Sequence, residues 1–314
     1  MGNRVLVDRL RGSWLDPVLP RESAYRGLSI RKLIGVRSRI LVECAVQYAA
    51  NHRVMRSRLS ETAELRNKFT GTPAVILATG PSLSTLDVQS LKVIRILGAR
   101  VFAVNFFNES VKAAEVIPDY YFLADPVFLE EWKVVPRARA VWEFIDSNPS
   151  INVFVPAHVD AESLPCSNKV LFFNGLGLDG WSKNTSPLKP RGFLGITAYH
   201  AISVAIFLGH GPIFTLGIDN DAFKTVSLVR DQSRLDESPA QIAVLQGHHA
   251  YPDERTYQLA GGGELAIPAM LEDFARVMHD LRLFERDVIV NLAPESLIAV
   301  WAKGDLESWL KARI

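Results

Sequence analysis

The chain has 314 residues, 48% of them hydrophobic and 22% charged, and a net charge of +1. That balance fits a globular protein large enough for one α/β domain plus an appendage, and it excludes a disordered, repetitive or collagen-like chain. The two cysteines, Cys44 and Cys166, lie far apart without C-x-x-C spacing, which argues for inert thiols rather than a disulfide framework or a thiolate zinc site.

Residues 1–22 read as irregular, with Pro17, Pro20 and scattered arginines. From Ser29 to Lys68, apolar residues including Leu33, Ile34, Ile40, Leu41, Ala45, Val46 and Ala49 recur at helical spacing, without proline, predicting one long or two shorter amphipathic helices. Residues 1–70 carry 14 Lys/Arg against 6 Asp/Glu, so a basic helical arm precedes an acidic body, residues 71–314. Such an arm suits an anionic membrane surface, a phospholipid-linked substrate or another subunit of a homo-oligomer; a solvated helix face is the plainer alternative. No apolar run reaches 18 residues and the N-terminal stretch has no signal-peptide core. A soluble cytoplasmic protein, peripheral at most to the inner membrane, is the expectation.

Gly71-Thr72-Pro73 breaks the helical pattern, and Ala74–Leu86 follows as AVILATGPSLSTL. A buried strand here runs into a glycine turn and then a helix, which would present backbone N–H groups and a positive dipole end to a phosphate. The stretch carries neither G-x-x-x-x-G-K-[ST] nor G-x-G-x-x-G. An amphipathic segment reaches Gly98, 101–106 (VFAVNF) reads as a second strand, 108–116 as a helix, and 120–125 (YYFLAD) as a third strand. Further strands are expected at 151–156, 170–173, 213–218 and 288–292. Residues 174–191 form a loop long enough to be a lid, with Trp181 near its tip able to stack on a sugar. A fully apolar helix spans 196–208, residues 222–246 read as an irregular insertion, and amphipathic helices follow at 266–283 and 305–311. Continuous apolar strands alternating with helices predict an α/β fold with a mostly parallel, Rossmann-like sheet covered on both faces.

In such sheets ligands gather beyond the carboxyl ends of the strands. The polar residues there are Thr79, Gly80, Pro81 and Ser82, then Asn105 with Asn108, Asp125, Gly217 with Asp219 and Asp221, and Asn291. Together they form one polar rim on an apolar sheet, as a nucleotide cleft requires. His200, inside the apolar helix, reads as a core histidine, and Asn291 as a tie for its own turn.

The order G-P-S-L, V-N-x-F, P-D-Y-Y-F-x-x-D, a buried I-T-x-x-x-A-I-x-V-A-I-x-L-G helix, I-x-x-L-G-I-D, a His-containing patch and I-x-N-x-x-P-x-S-L-I resembles one superfamily over residues 72–312. It comprises small bacterial sialyltransferases of lipooligosaccharide synthesis, motility-accessory flagellin glycosyltransferases and 6-hydroxymethylpterin pyrophosphokinase-like proteins. The resemblance implies a glycosyltransferase that moves a sugar from a nucleotide donor, CMP-linked in the sialyltransferases, to a cell-surface glycan or glycolipid, with no cofactor required. It implies that Thr79, Gly80, Pro81, Ser82, Asn105 and Thr197 hold the nucleotide, and that His249, with His248 as the neighbouring candidate, is the general base. The family's basic residue before the helix hydroxyl is replaced by Leu194, with Arg191 close by in sequence. Its paired tyrosines have only Tyr251 and Tyr257 as candidates.

Two other functions fit the same residues. One is a pyrophosphokinase acting on a small hydroxymethyl acceptor, in which Mg²⁺ would engage Asp125, Asp219 and Asp221. The other is a non-catalytic nucleotide-binding or scaffold protein. Nucleic acid is not an expected partner, because the basic residues lack interleaved aromatics and any reader motif.

Overall fold

The structure is a computed structural model that describes residues 30–178, 182–219, 226–230, 241–246, 254–258, 277–278, 280–284 and 288–313. Its first element is a single helix, α1 (Ile30–Glu64), of 35 residues. The stripe Cys44, Met55, Leu59 and Thr62 faces the protein body, as 3.6-residue spacing dictates. Asn67, in the left-handed region at φ 57°, turns the chain just past the helix end, a conformation asparagine tolerates better than most residues.

Eight parallel strands then build the sheet. The first five are β1 (Ala74–Leu77), β2 (Arg100–Val104), β3 (Tyr120–Phe122), β4 (Asn152–Pro156) and β5 (Val170–Phe173), laid side by side in that order. The helices α2 (Val88–Ile96), the single turn α3 (Pro126–Leu129) and α4 (Pro136–Asp146) lie between them in sequence. The apolar helix α5 (Thr197–Phe207) then leads into β6 (Ile213–Leu216), which pairs with the other side of β1. The sheet closes with β10 (Ile289–Asn291) and β11 (Ala302–Lys303), before the terminal helix α6 (Leu306–Lys311). Growth therefore reverses direction between β1 and β6, which places the sheet's topological switch point there.

Both faces of the sheet are covered, so neighbouring strand residues are buried to opposite sides. Val75, Leu77, Val101, Ala103, Tyr121 and Val153 pack with α1, α2, α4 and α6. Ile76, Phe102, Phe122, Phe154 and Phe173 pack with α5 and with Leu281 and Phe284. Continuous apolar strands in the sequence are the direct consequence. Thr62 Oγ1 in α1 donates to Phe172 O in β5 at 2.7 Å. Arg58 donates to Ala157 O and Val159 O while its guanidinium lies over the Phe172 ring.

Two expectations are corrected. The segment 108–116 is not a helix: Asn105–Glu109 is a 3₁₀ turn and the following residues are turns, because the extended Ser110 (ψ 147°) splits the segment and leaves too few residues before Pro118 to nucleate a helix. Residues 222–246 are not wholly irregular, since β7 (Val226–Arg230), β8 (Gln241–Gln246) and β9 (Glu254–Gln258) form an antiparallel three-stranded sheet. The charged run between β7 and β8 masks their short apolar cores in any averaged reading of the sequence. The expected helix at 196–208 is confirmed as α5, whereas that at 266–283 is described only at its end, where Val277, Met278, Asp280 and Leu281 are helical. Helix α4, with Ala138, Val141, Trp142 and Ile145 inward, was not anticipated.

At the amino ends of β1 and β6, His210 is 4% exposed, stacks on Phe69 at 5.1 Å and meets Phe102 edge-on. Burial lowers its pKa to about 4, against opposing hydrogen bonds to the Thr72 and Pro73 backbone. The folded state thus holds this ring neutral where the unfolded chain, near 6.5, already binds a proton. Its contribution to stability is complete above pH 6.5 and is lost as pH falls towards 4, by about 3 kcal/mol in the limit. Urea unfolding at pH 7, 6, 5 and 4 should show this loss, and His210→Gln should flatten that part of the profile.

Candidate functional site

The switch point is held by a reciprocal set of hydrogen bonds between the ends of β1 and β6. Gly80 N donates to Gly217 O at 2.8 Å, Ser82 N to the Asp219 carboxylate (Oδ2) at 2.8 Å, and Gly217 N to Ser82 Oγ at 2.9 Å. Close approach makes glycine obligatory at both positions. A Cβ on Gly80 would sit 2.5 Å from Asp219 Oδ2 and 2.6 Å from Gly217 O. Gly217 has φ +77°, and a Cβ there would lie 2.4 Å from Ala78 O.

This corrects the expected use of the glycine turn. The N–H groups of Gly80 and Ser82 are spent inside the protein and Pro81 has none, so the turn is not a free phosphate cradle. Nor does an α-helix start at the turn: Pro81–Thr85 is a five-residue 3₁₀ helix, and α2 starts at Val88 with its own cap from Asp87.

The helix end that does face the cleft is that of α5. Ile196, its N-cap residue, is extended and makes no side-chain cap. The first backbone N–H groups of a helix have no partner within it. Thr197 is 2% exposed, and its Oγ1 is buried with no hydrogen-bond partner among the described residues. Thr197, Ala198 and Tyr199 line a cleft of about 160 Å³ together with Thr79, Gly80, Pro81, Asn105, Gly217 and Asp219. Ile196, Val104, Ile218 and Val277 supply apolar walls.

Asn105 enters from the end of β2. Its left-handed backbone is pinned by Tyr121, whose hydroxyl donates to Asn105 O at 2.7 Å and accepts from Asn108 N at 3.2 Å. Burial pushes the Asp125 carboxyl pKa upward, and the Asn105 side chain opposes that shift. Asn105 Oδ1 is buried with no partner among the described residues. The arrangement therefore offers backbone donors and a hydroxyl on one wall, and carboxylate and amide acceptors on the other.

Seven residues singled out in the sequence meet at this cleft: Thr79, Gly80, Pro81, Asn105, Thr197, Gly217 and Asp219. Ser82, Asn108 and Asp125 are not among its lining residues. Ser82 ties β1 to β6. His248, His249, Asp221, Tyr251 and Trp181 lie outside the described residues; Tyr257 falls in β9, where only the backbone is described. His200 stacks on Phe173 at 4.2 Å, and full burial holds its pKa well below the ordinary value, so it is a neutral core residue. Asn291 Oδ1 accepts from Ala293 N at 3.0 Å, closing its own turn. Among the described residues no three His, Cys, Asp or Glu side chains are placed to hold a metal ion.

Arg191 does not stand in for a residue at the helix start. Its Nη1 donates to Gly175 O at 2.8 Å, and its guanidinium packs where Cβ atoms on Gly177 and Gly195 would be. It stitches the loop that delivers Thr197. Gly175 and Gly177 belong to GLGLDG at 175–180, which has G-x-G-x-x-G spacing after a strand. The fingerprint needs a helix at its end. Here the next helix after β5 begins only at Thr197. Tyr121 was also missed, because a hydroxyl inside an apolar strand reads as core.

No family model matches the chain, and no curated protein matches it. Among solved structures, it is similar to the MAf glycosyltransferase from Magnetospirillum magneticum AMB-1, with 14% identity, a TM-score of 0.43 and 83% of this chain covered. The match takes in 41% of that protein's length. No helix among the described residues is long and apolar enough to cross a membrane.

Gly217→Ala, through left-handed strain and a clash with Ala78 O, and Gly80→Ala, through a clash with Asp219 and Gly217 O, should each cost about 2 kcal/mol or more. Thermal unfolding checks this, and a midpoint unchanged in both variants would refute the interlock.

Proposed function

We propose that this protein is a glycosyltransferase that binds a sugar nucleotide, CMP-linked by sequence resemblance, and transfers the sugar to a cell-surface glycan or glycolipid. The observation that supports the reading is the convergence of Asn105, Asp219 and the uncapped start of α5, with its unpartnered Thr197 hydroxyl, at the switch point of a parallel sheet.

The chemistry follows from the two walls. The donor's phosphate sits against the start of α5, where backbone N–H groups and Thr197 Oγ1 stabilise the negative charge that grows as the glycosidic bond breaks. Ribose hydroxyls or a base amine donate to Asn105 and Asp219. Ile196, Tyr199 and Val277 keep water from the phosphate, which strengthens these interactions and spares the donor from hydrolysis. His249 takes the proton from the acceptor hydroxyl in this reading, since histidine is the side chain suited to accept a proton near neutral pH, with His248 as its neighbour. Residues 71–314 form the catalytic domain, and the basic arm at 1–70 meets the anionic surface that carries the acceptor.

A thermal-shift panel of CMP, CDP, UDP, GDP and ATP, each with and without Mg²⁺, tests the reading. A ligand at 100 times its Kd adds about 2.7 kcal/mol, well above detection. Metal-independent stabilisation by CMP is the expected result. Strictly Mg²⁺-dependent stabilisation by ATP would favour pyrophosphoryl transfer, and no response to any nucleotide would favour a scaffold. Thr197→Val separates binding from folding: it removes a buried, unpartnered hydroxyl, so the free protein should be unchanged or slightly more stable while CMP binds about tenfold more weakly. His249→Ala should abolish transfer with CMP affinity retained; turnover in that variant would remove the histidine mechanism.

A further inference from the structure

We propose that the outward face of α1 between Ser38 and Ser60 is a docking surface for an anionic lipid bilayer, carried on the side of the sheet to which the cleft opens. This deepens the role given to the basic arm above, and it rests on that reading only for what the lipid surface presents.

Three contacts fix the direction of α1. Just past its end, Asn67 N donates to Phe207 O and Phe69 N to Leu208 O, where α5 ends on the amino side of the sheet. Thr62 meets Phe172 inside β5, and Arg58 reaches Ala157 O and Val159 O, past the carboxyl end of β4. Followed backwards, the helix therefore climbs from the amino to the carboxyl side of the strands. At about 1.5 Å per residue, Val42 lies about 24 Å further along the axis than Arg58. The cleft opens on that same side, beyond the ends of β1, β2 and β6.

The body occupies one side of this helix, the stripe of Cys44, Met55, Leu59 and Thr62. Arg39, Val42, Val46, Ala49, Arg53 and Arg56 fall on the opposite side, within about 60° of Val42 at 3.6 residues per turn. All six are exposed, Val42 by 59% and Val46 by 62%. Between Ser38 and Ser60 the acid is Glu43, which lies about 100° from Val42 and pairs with Arg39. Arg53 and Arg56 make no ion pair among the described residues.

Exposed aliphatic side chains and unpaired guanidiniums on one face fit a surface that is both apolar and anionic. A bilayer with acidic headgroups has both properties: valine and alanine seat at the headgroup boundary while the arginines extend to phosphate. A second copy of this chain fits less well, because a twofold contact between these faces sets Arg39, Arg53 and Arg56 against their own counterparts. A surface also supports a half-helix that the body does not, since an isolated helix of about 15 residues is marginal in water.

Co-sedimentation of the full chain with vesicles tests this. Binding to vesicles of equal parts phosphatidylcholine and phosphatidylglycerol is expected, with little binding to phosphatidylcholine alone and release as salt is raised. Each arginine near such a surface contributes about fivefold in affinity, so Arg53→Gln/Arg56→Gln should weaken binding about 25-fold. Val42→Ser/Val46→Ser should weaken it at least about threefold, through lost apolar burial. Lys68→Gln/Lys92→Gln makes the same charge change at exposed positions off this face and should cost about twofold at most. Because every altered side chain is exposed, thermal midpoints should not move. Equal binding to both vesicle types, an equal loss in the lysine pair, or full binding by the valine pair would overturn the proposal. So would light scattering that shows a dimer broken by the arginine or valine changes, which would assign the face to a second copy. Vesicle binding uses no nucleotide, so its failure leaves the nucleotide reading intact, and a protein that binds vesicles without binding nucleotide loses the proposed function alone.

Discussion

The approach of β1 and β6 at their carboxyl ends is the constraint on which the rest of this structure depends. Two strands about 136 residues apart in sequence are paired in register, Ala74 with Ile213 through Leu77 with Leu216, and the chain must then leave both strands in the same small volume. Two glycines make room, and Ser82 spans the gap, donating its N–H to Asp219 and accepting from Gly217 N at its hydroxyl. Because every donor in that exchange is used internally, the interlock is a floor rather than a binding element. In the proposed function the ligand-facing donors come instead from the start of α5, which feeds directly into β6. Position and chemistry are therefore divided: the strands fix where the cleft is, and the helix start sets what charge it favours.

Much of the fold was legible because a parallel sheet buried on both faces leaves a plain trace. The apolar runs at 74–77, 152–156, 170–173 and 213–216 cannot face water on either side, and α5 has no polar face for the same reason. Tertiary hydrogen bonding left no such trace. That Gly80 and Ser82 would spend their N–H groups on the turn after β6 depends on residues 137 positions away, and a turn sequence looks the same whether its donors are free or taken. Asn105 was legible as a polar residue at a strand end. Its left-handed backbone was not, since the Tyr121 hydroxyl that holds it is hidden in an apolar pattern.

The antiparallel sheet β7–β9 illustrates a different loss. Its strands are short and separated by charged sequence, and an averaging eye assigns the whole stretch to a loop. The GLGLDG run is the converse, a familiar spacing without its context. Gly175 and Gly177 are glycine because Pro156, His158 and the Arg191 guanidinium occupy the space of a side chain, which is a packing requirement and not a phosphate site. Motif and mechanism come apart wherever the same residue satisfies two different physical needs.

The Thr62 contact carries a consequence for self-association. In β5 the carbonyls of Lys169 and Phe173 turn inward to β4, so that of Phe172 points outward, where another strand could add. Thr62 occupies it from α1. At the far side of the sheet β11 has two residues, too few to template a partner. Both borders are thus closed to β-augmentation, one by a helix laid against it and the other by brevity. A buried, strongly apolar eight-stranded sheet is shielded at one edge by α1, anchored there through Thr62 and Arg58, and at the other by a truncated last strand.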